Sequence, residues 1–272
     1  MKILIACDME GITGVTRWEH CNPTHPEYQR FRKQMTMDVN AAVEGAFAGG
    51  AEEVQIADGH SQGQNLLIEE LDSRAQLNCG TTSPWSMMNG IDSGFGGVFF
   101  IGYHAMAGTA NAILAHTWST QILNWKINGQ KIGEFGMNAL IAGWFDVPAL
   151  MVSGDQSLSM EALRFVPDIN CAVVKEANGY FSGKCFSPAK THERILECAE
   201  LAVQNKREGR GPQPLKMNAP YEVEVEFTQP YMAETASRLT GSERTGGRSV
   251  TITVPDIPAA FLAARTLCNL AE

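Results

Sequence analysis

The first half of the chain repeats one pattern, in which a short apolar run ends abruptly at polar residues and a segment of helical periodicity follows. Lys2–Cys7 is the first apolar run, and residues 53–57 and 97–102 are the next two. A helix is predicted from about 26 to 48, where apolar residues recur at four-residue spacing before Gly49-Gly50. This rhythm is typical of βαβ units. It predicts an α/β fold with an open, mostly parallel sheet flanked by helices.

The same patterns continue to the end of the chain. Further strands are predicted at 112–115, 124–127, 149–152 and 170–174, with helices near 134–145, 157–165 and 188–204. Gly and Pro then break all periodicity over 206–214, which marks a linker. Beyond it, alternating strands at 221–227 and 249–254 precede a helix at 257–270, which is typical of a small α+β unit. We therefore predict an α/β domain over residues 1–210 and a small C-terminal α+β subdomain over residues 211–272. The subdomain is expected to pack on the first domain or to contribute to oligomerisation.

Charge and cysteine usage restrict the partners and the compartment. The 21 Lys+Arg are outnumbered by 30 Asp+Glu, for a net charge of −9, and they are scattered, so no nucleic-acid partner is expected. The apolar start is too short for a signal sequence, and no run approaches the ~20 residues that span a bilayer, so no membrane partner is expected. Seven cysteines without a CxxC pair favour reduced thiols in a cytoplasmic protein.

Three of the predicted strands run directly into side chains that can bind metals. Asp8 and Glu10 come two residues apart after the first strand. His60 follows the second strand and His104 the third. Each has an ordinary alternative, since a carboxylate there can cap a turn and a single His is more often structural. Together they favour a shared site, because open α/β sheets form their sites at the carboxyl ends of the strands.

Two further residues belong to this candidate site. His116 closes the apolar run at 112–115, although a buried His bonded to a backbone carbonyl is the alternative. Glu134 stands at the predicted start of a helix, where the helix dipole favours a carboxylate even without a metal. The other three histidines lie in charged or Pro-rich surroundings and are predicted to be surface residues: His20, His25 and His192.

The donor types indicate which metal, and how many ions, the site holds. Mixed carboxylate and imidazole donors suit zinc, with manganese or cobalt as substitutes, rather than the all-oxygen shell of calcium. Three converging carboxylates would repel one another if left bare, and one divalent ion would leave them net negative. Two divalent ions reverse the sign, and a bound hydroxide, which metals make available near neutral pH, would then neutralise the cluster. Two zinc ions are therefore predicted.

With these residues placed, the chain resembles the D-aminopeptidase family of dinuclear zinc peptidases from residue 1 to at least residue 204. The order and spacing of several phrases carry this resemblance: Asp8-Met9-Glu10-Gly11, Asp58-Gly59-His60-Ser61, Gly102-Tyr103-His104-Ala105, Ala115-His116-Thr117, Gly133-Glu134-Phe135-Gly136-Met137-Asn138-Ala139 and Ser187-Pro188-Ala189-Lys190.

The resemblance implies a role for each residue. It implies that Asp8 bridges two zinc ions, that Glu10 and His104 complete one ion, and that His60 and Glu134 complete the other. His116 matches the catalytic histidine of the family. The family removes the N-terminal residue of short peptides, with a preference for D-alanine-type residues, and forms large homo-oligomers.

The expected function is that of a dinuclear zinc aminopeptidase in which hydroxide attacks the scissile carbonyl, assisted by His116. His116 could donate to the oxyanion, shuttle a proton or attack directly, and the sequence leaves these roles open. The alternatives are a dinuclear-metal amidase or phosphoesterase acting on another small molecule, or a non-catalytic protein that metal stabilises.

Overall fold

A computed structural model describes residues 1–80 and 82–271 of the chain. Its strands and helices, in chain order, are β1 (Lys2–Cys7), α1 (Tyr28–Ala48), β2 (Glu53–Asp58), β3 (Ala75–Asn78), β4 (Gly97–Ile101), β5 (Ile122–Ile127), β6 (Gln130–Lys131), α2 (Glu134–Trp144), β7 (Ala149–Asp155), α3 (Gln156–Phe165), β8 (Asn170–Gly179), β9 (Ser182–Cys185), α4 (Pro188–Arg207), β10 (Tyr221–Phe227), α5 (Pro230–Ala236), β11 (Ser242–Arg244), β12 (Ser249–Val254) and α6 (Ile257–Ala271).

The larger sheet has seven strands in the order β3-β2-β1-β4-β7-β8-β9. All neighbours are parallel except β9, which pairs antiparallel with β8. Strand β1 pairs in register with both of its neighbours, so Cys7 lies opposite Asp58 on one side and Ile101 on the other. The three strands therefore end in line, and the loops that follow them leave from the same edge. This architecture confirms the predicted fold class.

Helices α1 and α4 pack against each other and cover one face of this sheet. The apolar side chains of α1 at the predicted spacing are all buried: Phe31, Met35, Val39 and Val43. The helix ends before Gly50, whose φ of 96° suits glycine and stops the helical turn. Within the part of the chain that the structure describes, no helix has both the length and the apolar character needed to cross a membrane.

A second, antiparallel sheet has the order β11-β12-β10-β5-β6. Its strands β5 and β6 precede residue 211, so the sheet takes strands from both sides of the predicted division at 210/211. One hydrophobic core joins the two sheets and includes Leu4 of β1, Phe135 of α2, Val225 of β10 and Phe261 of α6. The predicted strand at 124–127 thus exists, as part of β5, but it pairs in the antiparallel sheet.

Two local predictions are wrong. Residues 112–115 form a buried loop with turns rather than a strand: Ile113 N–H donates to Asp155 Oδ2 (2.8 Å), Leu114 N–H donates to the carbonyl of Tyr180 (3.0 Å), and Leu114 has a φ of 52°. His20 is buried and stacks on the ring of Phe31 with centroids 3.9 Å apart, rather than lying on the surface. In both cases tertiary contacts bury a segment whose local pattern resembles something else.

Candidate metal centre

Asp8 and Glu10 lie on a tight loop that follows β1. This loop packs against the loop after β4, where Gly11 N–H donates to the carbonyl of Gly102 (2.7 Å). Only glycine fits at position 11, because a Cβ there would lie 1.8 Å from the carbonyl oxygen of Tyr103. The close approach brings the two carboxylates next to the loop that follows β4.

The predicted metal ligands converge on Asp8. His60 Nδ1 lies 3.2 Å from Asp8 Oδ1 and 3.1 Å from Glu10 Oε2. His104 Nε2 lies 3.3 Å from Asp8 Oδ2 and 3.2 Å from Glu134 Oε1. Loops after β1, β2 and β4 and the first residue of α2 therefore deliver these groups to one buried point. Within residues 1–80 and 82–271, His60 and Glu134 form no ion pair with each other, and they meet through Asp8 and His104.

The two imidazoles of this cluster are oriented by backbone carbonyls. His60 Nε2–H donates to the carbonyl of Cys21 (3.0 Å), and His104 Nδ1–H donates to the carbonyl of Ala105 (3.1 Å). A carbonyl can only accept, so these nitrogens carry protons and the opposite nitrogen of each ring faces Asp8. This is how histidine ligands are held in metal sites, where the outer nitrogen donates to a fixed acceptor.

Among the residues that the structure describes, three of the converging atoms are shielded from water and make no hydrogen bond of acceptable geometry, although they lie close to one another's residues: Asp8 Oδ2, Glu10 Oε2 and His104 Nε2. Leaving such an atom unsatisfied costs about 1–3 kcal/mol, so native proteins rarely tolerate several together. A cation between them would satisfy all three. The residues present therefore fit the predicted metal centre.

Among the described residues, two sets of ligand atoms lie close enough to bind ions, with all atoms of a set within 4.8 Å of one another. One set is Asp8, Glu10 and His104, which agrees with one of the two ions that the resemblance implies. The other set is His104, His116 and Glu134. The assignment of His60 and Glu134 to the second ion remains a prediction.

For Asp8, His60 and His104, burial and the neighbouring charges act on the pKa in opposite directions. Burial alone would raise the pKa of Asp8, but the adjacent imidazoles of His104 and His60 hold it well below its usual value. Burial would lower the pKa values of both histidines, but Glu10 and Asp8 raise that of His60, while Glu134 and Asp8 raise that of His104. Without metal the site therefore attracts protons to the nitrogens, and protons and metal ions compete there.

His116 lies beside the ligands. Its ring stacks on that of His104 with centroids 3.9 Å apart, and the ring of Trp18 meets it edge-on at 5.0 Å. Its Nδ1–H donates to the carbonyl of Leu114 (2.8 Å), and its Nε2 lies 3.8 Å from Glu134 Oε1. Burial and the neighbouring His104 lower its pKa. His116 therefore presents a neutral ring with a free Nε2 lone pair to the cluster, as a group that accepts or returns a proton requires.

Lys175 supports the loop that carries Glu10, and no sequence motif marks it. Its buried ammonium donates to the carbonyls of Glu10 (2.5 Å), Ile12 (3.1 Å) and Val15 (2.6 Å). These three bonds use all three donors of the ammonium group. The signal that could have identified it is a lone lysine directly after the apolar residues of β8.

Glu161 of α3 is a second residue that sequence patterns missed. Its Oε2 accepts from Met106 N–H (2.8 Å), two residues after His104, while its Oε1 has no partner and lies near Gly133. Burial raises the pKa of Glu161 to about 7. This carboxyl therefore lies behind two ligand loops, and no Lys or Arg among residues 1–80 and 82–271 forms an ion pair with it.

The cluster opens into a cavity of about 590 Å³. Asp8, Glu10, His60 and Glu134 line its floor, and Arg265 of α6 lines it from the side of the second sheet. Cavities of this size are typical of small-ligand sites. The arrangement places the candidate metal ligands and the cation on the C-terminal helix in one cavity.

Comparisons with known proteins identify the family to which the chain belongs. The family model described as D-aminopeptidase matches residues 1–266. A D-aminopeptidase of Bacillus subtilis (strain 168) is 35% identical over 272 residues, which cover 100% of this chain and 98% of the relative.

A solved structure is also similar along its whole length. The Zn-dependent D-aminopeptidase DppA from Bacillus subtilis, named as a self-compartmentalizing protease, superposes with a TM-score of 0.96 at 34% identity, covering 100% of this chain and 98% of that one. These matches confirm the resemblance drawn from the motifs and the predicted enzyme class, an aminopeptidase. The chain belongs to the D-aminopeptidase family.

Proposed function

We propose that this chain is a dinuclear zinc aminopeptidase that releases N-terminal D-amino acids, such as D-alanine, from short peptides. The observation that carries the proposal is the meeting of three unpartnered, buried ligand atoms on Asp8, Glu10 and His104 beside the stacked ring of His116. The zinc dependence and the D-residue preference are supported by the full-length similarity to the Bacillus subtilis enzyme.

The chain's own residues would hold the metals as the family resemblance implies. Asp8 would bridge the two ions, Glu10 and His104 would complete one, and His60 and Glu134 the other. When bound, the zinc ions supply Lewis acidity and a water nucleophile that is deprotonated near neutral pH. Manganese or cobalt would fit the same donors.

His116 would manage the proton that the reaction moves. Its Nδ1–H is fixed on the carbonyl of Leu114, so only Nε2 is available to the reacting groups. A lowered pKa keeps this nitrogen unprotonated near neutral pH, ready to take a proton and return it to the leaving amine. The stacked rings of His104 and His116 fix the direction of Nε2, which removes the cost of orienting it.

The substrate would be a short peptide with a free amine, and neither nucleic acid nor a membrane is an expected partner. We also propose a large homo-oligomer and a cytoplasmic location. The name of DppA as self-compartmentalizing supports the oligomer, as do large exposed apolar side chains such as Tyr231 and Leu262. Light scattering on the purified protein tests the assembly.

The function is tested with zinc-loaded protein assayed on matched D- and L-alanyl amides, while elemental analysis counts the metal in the same sample. We expect release of D-alanine at a higher kcat/KM than L-alanine, and loss of activity with a chelator that zinc restores. Reversible loss with the fold intact distinguishes an enzyme from a protein that metal merely stabilises. No turnover of either enantiomer by fully loaded protein would contradict the proposal.

A further inference from the structure

Arg265 is a cation without a counter-ion in the cavity above the metal centre. It is half-buried on α6, it lines the cavity together with Asp8 and Glu134, and its Nε is shielded from water with no hydrogen-bond partner. Within residues 1–80 and 82–271, no carboxylate forms an ion pair with it, and it is the only Lys or Arg in the cavity lining. A partly buried guanidinium whose Nε is shielded from water and unpaired favours an anionic ligand, which would accept from this donor.

Aromatic rings hold the Arg265 guanidinium in place. Its carbon lies 5.2 Å from the centre of the Trp118 ring and 5.3 Å from that of Phe261. The backbone N–H of Trp118 in turn donates to Glu134 Oε1 (2.8 Å). The same residue thus contacts a metal ligand through its backbone and the arginine through its ring, which places Arg265 beside the metal centre.

We propose that Arg265 binds the C-terminal carboxylate of the substrate peptide, so that the site selects short peptides with a free C-terminus. This inference rests on the proposed aminopeptidase function, in which the amine end of the same peptide lies at the metal centre. A guanidinium that lies over an aromatic ring can still offer N–H groups to a carboxylate through two parallel N–H···O bonds. With one end of the peptide at the zincs and the other at Arg265, the span between them limits its length, since each extended residue adds at most about 3.5 Å.

The test compares a dipeptide with its C-terminal amide, D-alanyl-D-alanine and D-alanyl-D-alanine amide, or the enantiomers that the parent cleaves. We expect Arg265→Gln to lower kcat/KM for the free carboxylate by about 10- to 100-fold, since a hydrogen bond to a charged group contributes on this scale. The amide should be cleaved at the parental rate. Arg265→Lys keeps the charge without the paired donors and should retain part of the preference.

Arg164→Gln is the matched control, because Arg164 also lies over a ring, that of Phe165 at 5.0 Å, but does not line the cavity. It should leave both substrates unaffected. An equal loss on dipeptide and amide in Arg265→Gln would show a purely structural role and overturn the inference. An unchanged preference for the free carboxylate would overturn it as well.

A binding measurement separates this inference from the proposed function. The reduced-amide isostere of the dipeptide, in which CH2–NH replaces the scissile amide, cannot be hydrolysed, and calorimetry on zinc-loaded protein compares its free carboxylate with its carboxamide. We expect the parent to bind the carboxylate about 10- to 100-fold more tightly and Arg265→Gln to bind both equally. If the parent cleaves no peptide but shows this difference, the peptidase proposal fails while the anion site stands. Equal binding of both forms by the parent overturns the anion site even if peptides are cleaved.

Discussion

Two groups of buried carboxylates lie at the same edge of the larger sheet and differ in whether their oxygens accept hydrogen bonds. Asp58 accepts from the backbone N–H of Asn65 (2.5 Å) and Leu66 (2.9 Å) and from the Asn65 side chain (2.7 Å). Asp155 accepts three backbone N–H groups, including two at the start of α3. Asp8 and Glu10, by contrast, each keep one oxygen with no hydrogen-bond partner.

The contrast separates carboxylates that stabilise the fold from those that await a ligand. Backbone N–H groups make Asp58 and Asp155 part of the loops that they brace, because removing the acceptor would leave those donors unpaired. The free oxygens of Asp8 and Glu10 destabilise the metal-free protein and become favourable only when a cation binds. Substitutions in the two groups should therefore have opposite consequences.

The largest effect on activity is expected when a predicted metal ligand is replaced. Glu10→Gln removes a negatively charged metal ligand, so zinc content and turnover should both fall. Losing a residue that only hydrogen-bonds to a metal ligand costs about 10- to 100-fold, and the loss of turnover here should be larger. The free energy of unfolding of the metal-free protein should not fall, because removing a buried charge offsets the lost attraction between Glu10 and His60. Elemental analysis, peptide assays and urea denaturation measure these three quantities. A variant with full zinc content and parental turnover would show that Glu10 is not a metal ligand.

His116→Ala is expected to have the next largest effect, without loss of metal. If His116 supplies a group needed only in the transition state, turnover should fall by about 100- to 1000-fold while both zinc ions remain. Steady-state kinetics on protein of counted metal content checks this. Hydrolysis at the parental rate would show that the role assigned to His116 is wrong.

Glu161 is an intermediate case, with one oxygen bonded and one unpartnered. Its folded-state pKa of about 7 lies above the usual value of 4.5, so the fold disfavours the ionised form. Stability is therefore lost as pH rises from about 4.5 through about 7, by up to about 3 kcal/mol at higher pH. Glu161→Gln should remove this loss in metal-free protein.

The comparison that tests Glu161 is urea denaturation of parent and variant at pH 5 and pH 8. The variant should be more stable than the parent at pH 8 and gain much less at pH 5. A stability difference that does not change between the two pH values would contradict the raised pKa of Glu161.

The smallest effect on activity is expected for the carboxylates whose oxygens accept backbone N–H groups. Asp155→Ala removes the acceptor for Ile113 N–H and the cap of α3, which should lower the free energy of unfolding by about 1–3 kcal/mol. Zinc content per folded chain should not change. Chemical denaturation measures the free energy of unfolding, and metal analysis measures the zinc content. Loss of zinc from folded Asp155→Ala would show that Asp155 also supports the metal centre.

The sequence predicted the parts of the fold and site that periodicity and position encode. Asp8, Glu10, His60 and His104 follow predicted strands that are parallel neighbours, so their meeting follows from the topology alone. Glu134 stands at the first residue of α2, as its pattern indicated. These predictions needed no knowledge of side-chain packing.

Long-range contacts account for what the sequence could not predict. The apolar run at 112–115 is buried because Asp155 and Tyr180 satisfy its backbone, and periodicity cannot separate such a loop from a buried strand. Lys175 and Arg265 carry no motif. Each acts on the site across more than 100 residues of chain, through contacts that exist only in the folded protein.

The pairing of acidic and imidazole side chains with two zinc ions is tested most directly by anomalous diffraction at the zinc edge on crystals of the loaded protein. We expect two zinc peaks in each chain, separated by about 3.5–4 Å as in other two-metal sites, with the carboxylate of Asp8 in contact with both. A single peak, or zinc bound away from Asp8, would contradict it.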